Sequence, residues 1–440
     1  MIRDRRAILA LLTALNFLNY IDRAVIAAVV EPMSKDLQLS HLEAGLLNSA
    51  FLIGYFTTSP WFGARADRGS RKGLITLGVV IWSIATVASG LASEFWSLLA
   101  ARIVVGVGES SFAVLAPTII DDSTPSDRKA KALAMFFLAI PLGYAMGYIL
   151  GGAVAHNWGW RAAFFVSGGP GIVLAMSCLL IIEPSRKLAD AKAKLIDGLR
   201  EIVKLPLFRR AVLGYAVYTA GVGAFSYWAP NFLVERFPRG YVRWFGVVLF
   251  ERFPNGLTLE TANRWFGIVL IIAGAVGTII GGRWADGTIA RLPQPAAGAP
   301  YDAPEHKAAV QVMLRISALG MIVAAPLAAL CFFMPSSFAF FAIAFVVEVG
   351  LFVSTSPVNA ALFRAVPPER RASSMAANIF VIHLFGDLWS AAALGLLQDL
   401  LPLRIAMMAL PLSFAWSAYV WWPRLREAAG PSVPTVGPAP

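Results

Sequence analysis

Stretches of about twenty apolar residues recur along this chain, and that recurrence leaves few folds open. In hydrocarbon an unpaired backbone amide costs several kcal/mol, so a spanning segment must be a helix or part of a closed barrel. Twelve runs are read at approximately 7–30, 43–64, 73–92, 96–120, 130–154, 161–182, 208–234, 262–285, 309–333, 338–363, 372–398 and 403–422. Barrel strands would be about ten residues long and alternate in polarity, a pattern not seen here. Only 14% of the residues are charged, against about 25% in soluble domains. The expected class is all-α and integral to the membrane, with twelve transmembrane helices.

Basic residues sit in alternate loops. Arg3, Arg5 and Arg6 precede the first run, Arg65 to Lys72 follow the second, and Arg128, Lys129 and Lys131 follow the fourth. Further clusters lie between Arg186 and Arg210, at Arg291 and Lys307, at Arg364 to Arg371, and at Arg424 and Arg426. The positive-inside rule then puts both termini in the cytoplasm. The economy of loops suggests a bacterial inner membrane. The net charge of +11 reports topology, and no basic face on a soluble domain points to nucleic acid.

Residues 1–182 form a first six-helix half and 208–422 a second. Between them, 183–207 reads as a cytoplasmic amphipathic linker, with Leu195, Leu199, Ile202 and Leu205 at helical spacing among lysines and arginines. The Pro/Gly-rich tail, 423–440, is expected to lack fixed structure. The loop after the seventh run breaks the charge alternation and holds an insertion near 235–260. It contains a duplication: ERFPRG…RWFGVVL (235–249) recurs as ERFPNG…RWFGIVL (251–270). It reads as a tolerated surface insertion, with a lid over the cavity as the alternative.

Ionisable residues inside the runs are costly in lipid and mark ion or substrate paths. Asp22 and Arg23 lie in the first run, Arg102 and Glu109 in the fourth. At 1.5 Å per residue, Asp22 and Arg102 both fall roughly 10 Å below the outer face. Arg102 and Glu109, seven apart, share a helical face. The expectation is a polar cavity in which Asp22 meets Arg102. A permanent structural pair is the competing reading, as is helix-packing hydrogen bonding for Glu109.

The halves echo each other. Gly63-Ala-Arg-Ala-Asp67-Arg68-Gly-Ser-Arg71 follows the second run and Gly282-Arg-Trp-Ala-Asp286 the eighth. Glycine permits close helix approach, and a carboxylate there can meet a helix N-terminus or a basic side chain from the facing half. Gly63, Asp67, Arg68, Arg71 and Asp286 are therefore candidates for a cytoplasmic gate, with a static turn as the bland alternative.

Twelve runs in two halves with Gly-x-x-x-Asp-Arg resemble the major facilitator superfamily over residues 7–422. Asn19-Tyr20-Ile21-Asp22-Arg23, Gly106-Val-Gly-Glu109-Ser-Ser, Tyr227-Trp228-Ala229-Pro230, Pro357-Val358-Asn359-Ala360 and His383-Leu-Phe-Gly386-Asp387 together resemble its spinster family. Trp389-Ser-Ala-Ala departs from the Ser-Pro pair common there, and the 235–250 copy is additional.

The resemblance implies export or exchange of single-chain lipids such as lysophospholipids or sphingosine-1-phosphate, often coupled to protons. The residues permit this. Arg23 and Arg102 offer planar, multi-donor recognition of a phosphate-bearing head. Phe17, Phe112, Tyr227 and Trp228 are candidates for an apolar wall, Tyr20 and Asn359 for head-group hydrogen bonds, and Glu348 for the cavity. Glu109, ahead of Asp22, is the expected proton site. His383 and Asp387, four apart, are expected to pair in a helix-to-helix polar contact. Protons and a membrane amphiphile are the expected partners of a monomer.

Enzymatic chemistry finds no support. His41, His156, His306 and His383 are scattered, no His-Glu-x-x-His or Gly-x-Ser-x-Gly occurs, and no cofactor or metal site is indicated. Cys178 and Cys331 lie in apolar runs. The rival function is a proton-coupled symporter of small organic anions.

Overall fold

The computed structural model describes residues 4–66, 70–125, 128–183, 204–237, 240–244, 247–253, 257–293, 303–367 and 371–422. The apolar runs become α1 (Arg5–Leu37), α2 (His41–Ala66), α3 (Arg71–Leu91), α4 (Phe95–Ser123), α5 (Lys129–Trp158), α6 (Trp160–Cys178) and α7 (Pro206–Arg236). After a hairpin follow α8 (Leu259–Ile289), α9 (Pro304–Cys331) and α10 (Ser337–Arg364). The eleventh span joins α11 (Arg371–Ile382), a π turn (His383–Asp387) and α12 (Leu388–Leu400), and the twelfth joins α13 (Leu403–Ala406) and α14 (Ala409–Trp421). Ten spans satisfy a length-and-hydropathy standard for crossing a membrane. The other two, α2 and α7, have 26 and 31 residues and run in the same bundle.

Helix ends carry the expected chemistry. Ser70, Thr258 and Ser336 cap α3, α8 and α10 by accepting amide hydrogen bonds. Proline stands inside many spans, including Pro117 in α4 and Pro230 in α7. Neighbouring helices re-satisfy the backbone groups that such residues free.

Helices α1 to α6 pack chiefly among themselves, as do α7 to α14. The first group buries Trp82, Phe112, Phe136 and Ile119 in one core, and the second buries Phe208, Leu314, Leu351 and Trp421 in another. The groups meet along α2/α12, α5/α8 and α1/α7. A third core crosses this boundary, combining Val25, Val29 and Phe164 with Trp228, Phe232 and Phe340. It lies at the end of the bundle remote from both chain termini.

The insertion after α7 forms a short antiparallel hairpin of β1 (Gly240–Trp244) and β2 (Val247–Phe253), with two register shifts. The two copies of the repeat therefore differ in structure. RWFGVVL contributes to the strands, whereas RWFGIVL (264–270) is helical within α8. Most of the proposed linker, 184–203, and all of the tail, 423–440, lie outside the described residues.

Candidate polar site and the closure beside it

The ionisable groups of α1 and α4 do converge, in a pairing other than the one expected. Arg23 Nε donates to Glu109 Oε2 at 2.6 Å, and Glu109 is fully buried. Asp22 instead accepts from Thr86 Oγ1 at 2.5 Å and Ser167 Oγ at 3.0 Å, on α3 and α6. The expected Asp22–Arg102 ion pair is not formed. Consecutive residues of a helix point about 100° apart, so Asp22 turns into the first half and Arg23 toward α2 and α4. The close approach of α2 and α4 helps position Glu109. A side chain at Gly106 would collide with the Phe51 carbonyl.

Aromatic rings surround Arg23. Its guanidinium carbon lies 4.8 Å from the Tyr20 ring centre and 5.0 Å from those of Phe51 and Tyr55. Tyr20 meets Tyr144 of α5 edge-on at 5.2 Å. Arg102 is 1% exposed and lies 5.2 Å over Phe51; Asp22 and Glu109 act on it electrostatically, but it forms no close ion pair among the described residues. Its Nε and Nη1, Arg23 Nη2, Asn19 Nδ2 and Glu109 Oε1 are all buried without a close hydrogen bond among the described residues, and Asn19 lies within reach of Glu109. Leaving a buried donor unmet costs about 1–3 kcal/mol, more when charged. The cluster therefore has spare capacity to bind.

Opposite it stands the π turn. His383 Nδ1 lies 2.8 Å from Asp387 Oδ2, a pairing within one span and not the helix-to-helix contact expected, and Asp387 Oδ1 has no hydrogen-bond partner among the described residues. Phe56 of α2 reaches across to His383 at 5.6 Å and to Phe380 at 6.4 Å. Arg23 and Asp387 are within electrostatic reach of each other across this boundary. Asn359 donates to the Tyr215 hydroxyl at 3.2 Å. Glu348 is buried in α10, with no hydrogen bond or ion pair to another described residue.

Two of the expected wall residues lie elsewhere, and Tyr227 stands at the closed end within electrostatic reach of Arg102. Phe112 faces the first half's own core, between Trp82 and Phe136. Tyr227 donates to Ala44 O across the halves at 2.5 Å, and Trp228 Nε1 donates to Ala391 O at 2.8 Å. Both belong to the closed end. Phe17 is half-buried against the third core.

At the termini-bearing end, Arg71 is buried and pairs with Asp122 at 2.6 Å. Glu183 accepts from Ser70 Oγ and from the amides of Arg71 and Lys72. Burial opposes ionisation of Glu183, but these donors outweigh it and hold its carboxyl below the usual range. Asp67 and Arg68 lie outside the described residues. Asp286 is exposed, without an ion pair among the described residues. Among the described residues, a side chain at Gly63 would meet Val114 at an ordinary 3.8 Å.

Among the described residues, the hydrogen bonds joining the halves run from mid-depth to the remote end. Ser49 donates to Leu388 O, Tyr148 to Ser226 O and Asn263 to Ala28 O. His41 and Leu42 bind Asp399. The space beside Arg23 is thus sealed at the remote end. Sequence reasoning passed over Thr86, Ser167, Tyr55, Tyr144, His41 and Asp399. The first four are polar residues inside apolar spans, a signal that could have been matched by depth.

A family model described as the Major Facilitator Superfamily matches residues 12–389. An Arabidopsis thaliana protein named "Probable sphingolipid transporter spinster homolog 2" is 31% identical over 467 residues, covering 94% of this chain and 86% of that protein. The Homo sapiens protein named "Protein spinster homolog 1" is 29% identical, covering 89% and 72%. A crystal structure titled as a bacterial homolog to the human lysosomal transporter Spinster, inward-facing and unoccupied, superposes with a TM-score of 0.78. Its sequence identity is 23%, with 95% of this chain and 96% of that chain covered.

Proposed function

This chain belongs to the spinster family of the major facilitator superfamily and is a secondary transporter; on that premise we propose that it moves a single-chain lipid, driven by protons. The cargo class is a lysophospholipid or a sphingosine-1-phosphate-like molecule. One observation carries the reading. Arg102 is a buried guanidinium with no close ion pair and two unpartnered nitrogens among the described residues, beside an Arg23–Glu109 pair that has unused donors and an acceptor of its own. A buried cation of this kind is costly unless an anion completes it. A phosphate supplies several acceptors in the geometry that guanidinium groups match.

Proton coupling follows from competition. A phosphate binding Arg23 takes the cation away from Glu109. The carboxylate is then buried without its partner and takes up a proton from the open, wet side. Loss of the phosphate restores the ion pair and releases that proton. Asp22, satisfied by Thr86 and Ser167, is the secondary proton site and holds α1 against α3 and α6. Phe56 and Phe380 offer an apolar border for the tail.

In this reading the termini-bearing end faces the cytoplasm of a bacterial inner membrane, in line with the loop charges. Residues 1–182 rock against 208–422 about the site. The structure would then be the state open to the cytoplasm.

The test is flux of lysophospholipids into proteoliposomes, with and without a proton gradient. Affinity is expected to rise with tail length by up to about 0.8 kcal/mol per methylene, and the gradient is expected to drive accumulation. Small carboxylates that compete fully, with no dependence on tail length, would replace the lipid by a small organic anion.

A further inference from the structure

We propose that Asp399 and His41 form a pH-sensed latch that holds the remote end of the transporter shut. Both carboxylate oxygens of Asp399, on α12, are engaged by the start of α2 in the other half. Oδ1 accepts from the His41 amide at 3.0 Å and Oδ2 from the Leu42 amide at 2.9 Å. These are amides that an isolated helix leaves unpaired, and a negative charge is favoured at that position. The second half therefore caps a helix of the first, and separating the halves uncaps it.

The imidazole adds the dependence on pH. His41 Nδ1 lies 2.7 Å from Asp399 Oδ1, and Nε2 lies 3.8 Å from Glu235 Oε1 at the end of α7. Trp228 packs on the ring at 5.6 Å. An imidazolium can donate to one carboxylate and face the other, whereas neutral imidazole satisfies only one. His41 precedes the apolar run of α2. Its ionisation is raised above the ordinary histidine range, first by Glu235 and then, against burial, by Asp399.

Other charges around the ring are accounted for. Lys35 of α1 acts on Glu235 and also binds Glu31. Glu43, on α2 itself, is taken by Ser40. Arg236 donates to Met334 O. Gly395 leaves room for the contact, because a side chain there would strike the His41 carbonyl.

The sign follows from linkage. The latched state binds the His41 proton more tightly than the open state. Its extra stability is complete below the ordinary histidine value and is lost as pH rises through the raised one. Alkaline conditions at the remote face therefore loosen the latch.

Spin labels at Ser93→Cys and Pro335→Cys, on opposite halves at the remote end, read the separation by double electron–electron resonance in the full chain without substrate. The population of the longer distance is expected to rise several-fold between about pH 6 and about pH 8.5. Asp399→Asn should already show that rise at the lower pH. His41→Gln, a change at a partly exposed ring that the fold should tolerate, should abolish the pH response. An unchanged distribution in Asp399→Asn, or a full pH response in His41→Gln, overturns the proposal. The readout needs no cargo, so it stands or falls separately from the lipid assignment.

Discussion

Arg23 and Glu109 are 2.6 Å apart in a site where Glu109 is fully buried, and one oxygen of the carboxylate is left without a partner. The pair is therefore a structural clasp between α1 and α4 and, in the proposed function, a binding element as well. Removing either partner has consequences of different kinds.

Arg23→Ala leaves Glu109 buried without its cation. Breaking such a pair costs about 3–5 kcal/mol. The variant is expected to lose thermal stability and transport together, as measured by unfolding in detergent and by flux.

Glu109→Gln keeps a hydrogen-bond acceptor for Arg23 and removes the titrating group. Arg23 nevertheless loses its counter-ion, so stability is expected to fall by up to about 3–5 kcal/mol. Proton-driven accumulation should disappear, whereas exchange of lipid across the membrane persists. Full pH-dependent uptake in this variant would refute the assignment of Glu109.

Arg102→Ala removes no close ion pair among the described residues and forfeits mainly its stacking on Phe51, worth about 1–2 kcal/mol. Binding of a phosphate-bearing lysolipid should fall by roughly tenfold or more. Arg102→Lys should restore it only in part, because the planar fork is missing. Titration of a lysolipid into the purified variants measures both effects.

Glu183 lies beyond the end of α6 and is held ionised by donors from the start of α3. A carboxyl whose ionisation is lowered in the fold contributes stability above the ordinary carboxylate value. That stability is lost as pH falls through the lowered one. Thermal stability of the wild type should fall across this acidic window, and the fall should be shallower in Glu183→Gln. An identical acid profile in the two proteins would remove Glu183 from the network.

Much of this was legible in one dimension. Apolar runs set the spans because lipid offers the backbone no alternative partner. Charges within those runs marked α1 and α4 as candidates to meet, because burial of a charge is tolerated only where it is used or paired, and Arg23 and Glu109 do meet. The four-residue spacing of His383 and Asp387 was enough to pair them, since both partners sit on one continuous span.

Partner choice was not legible. Asp22 and Arg23 are adjacent in sequence yet enter different neighbourhoods, and which of them met α4 depended on how the helices were rotated against each other. The same limit governed Phe112, an aromatic on a site helix that turned into the core. It also governed His41 and Asp399, which are 358 residues apart and had no local signal of their meeting.

The repeated heptad makes the division plain. RWFGVVL at 243–249 contributes to a hairpin, and the nearly identical RWFGIVL at 264–270 is helical. In the second copy Phe266 is buried against Tyr148 and Phe225, and Gly267 abuts the Ala145 carbonyl of α5. Local composition determined that these segments are apolar, through hydration that acts residue by residue. Only the tertiary structure decided which became a membrane helix, because that choice depends on the surface each copy is packed against.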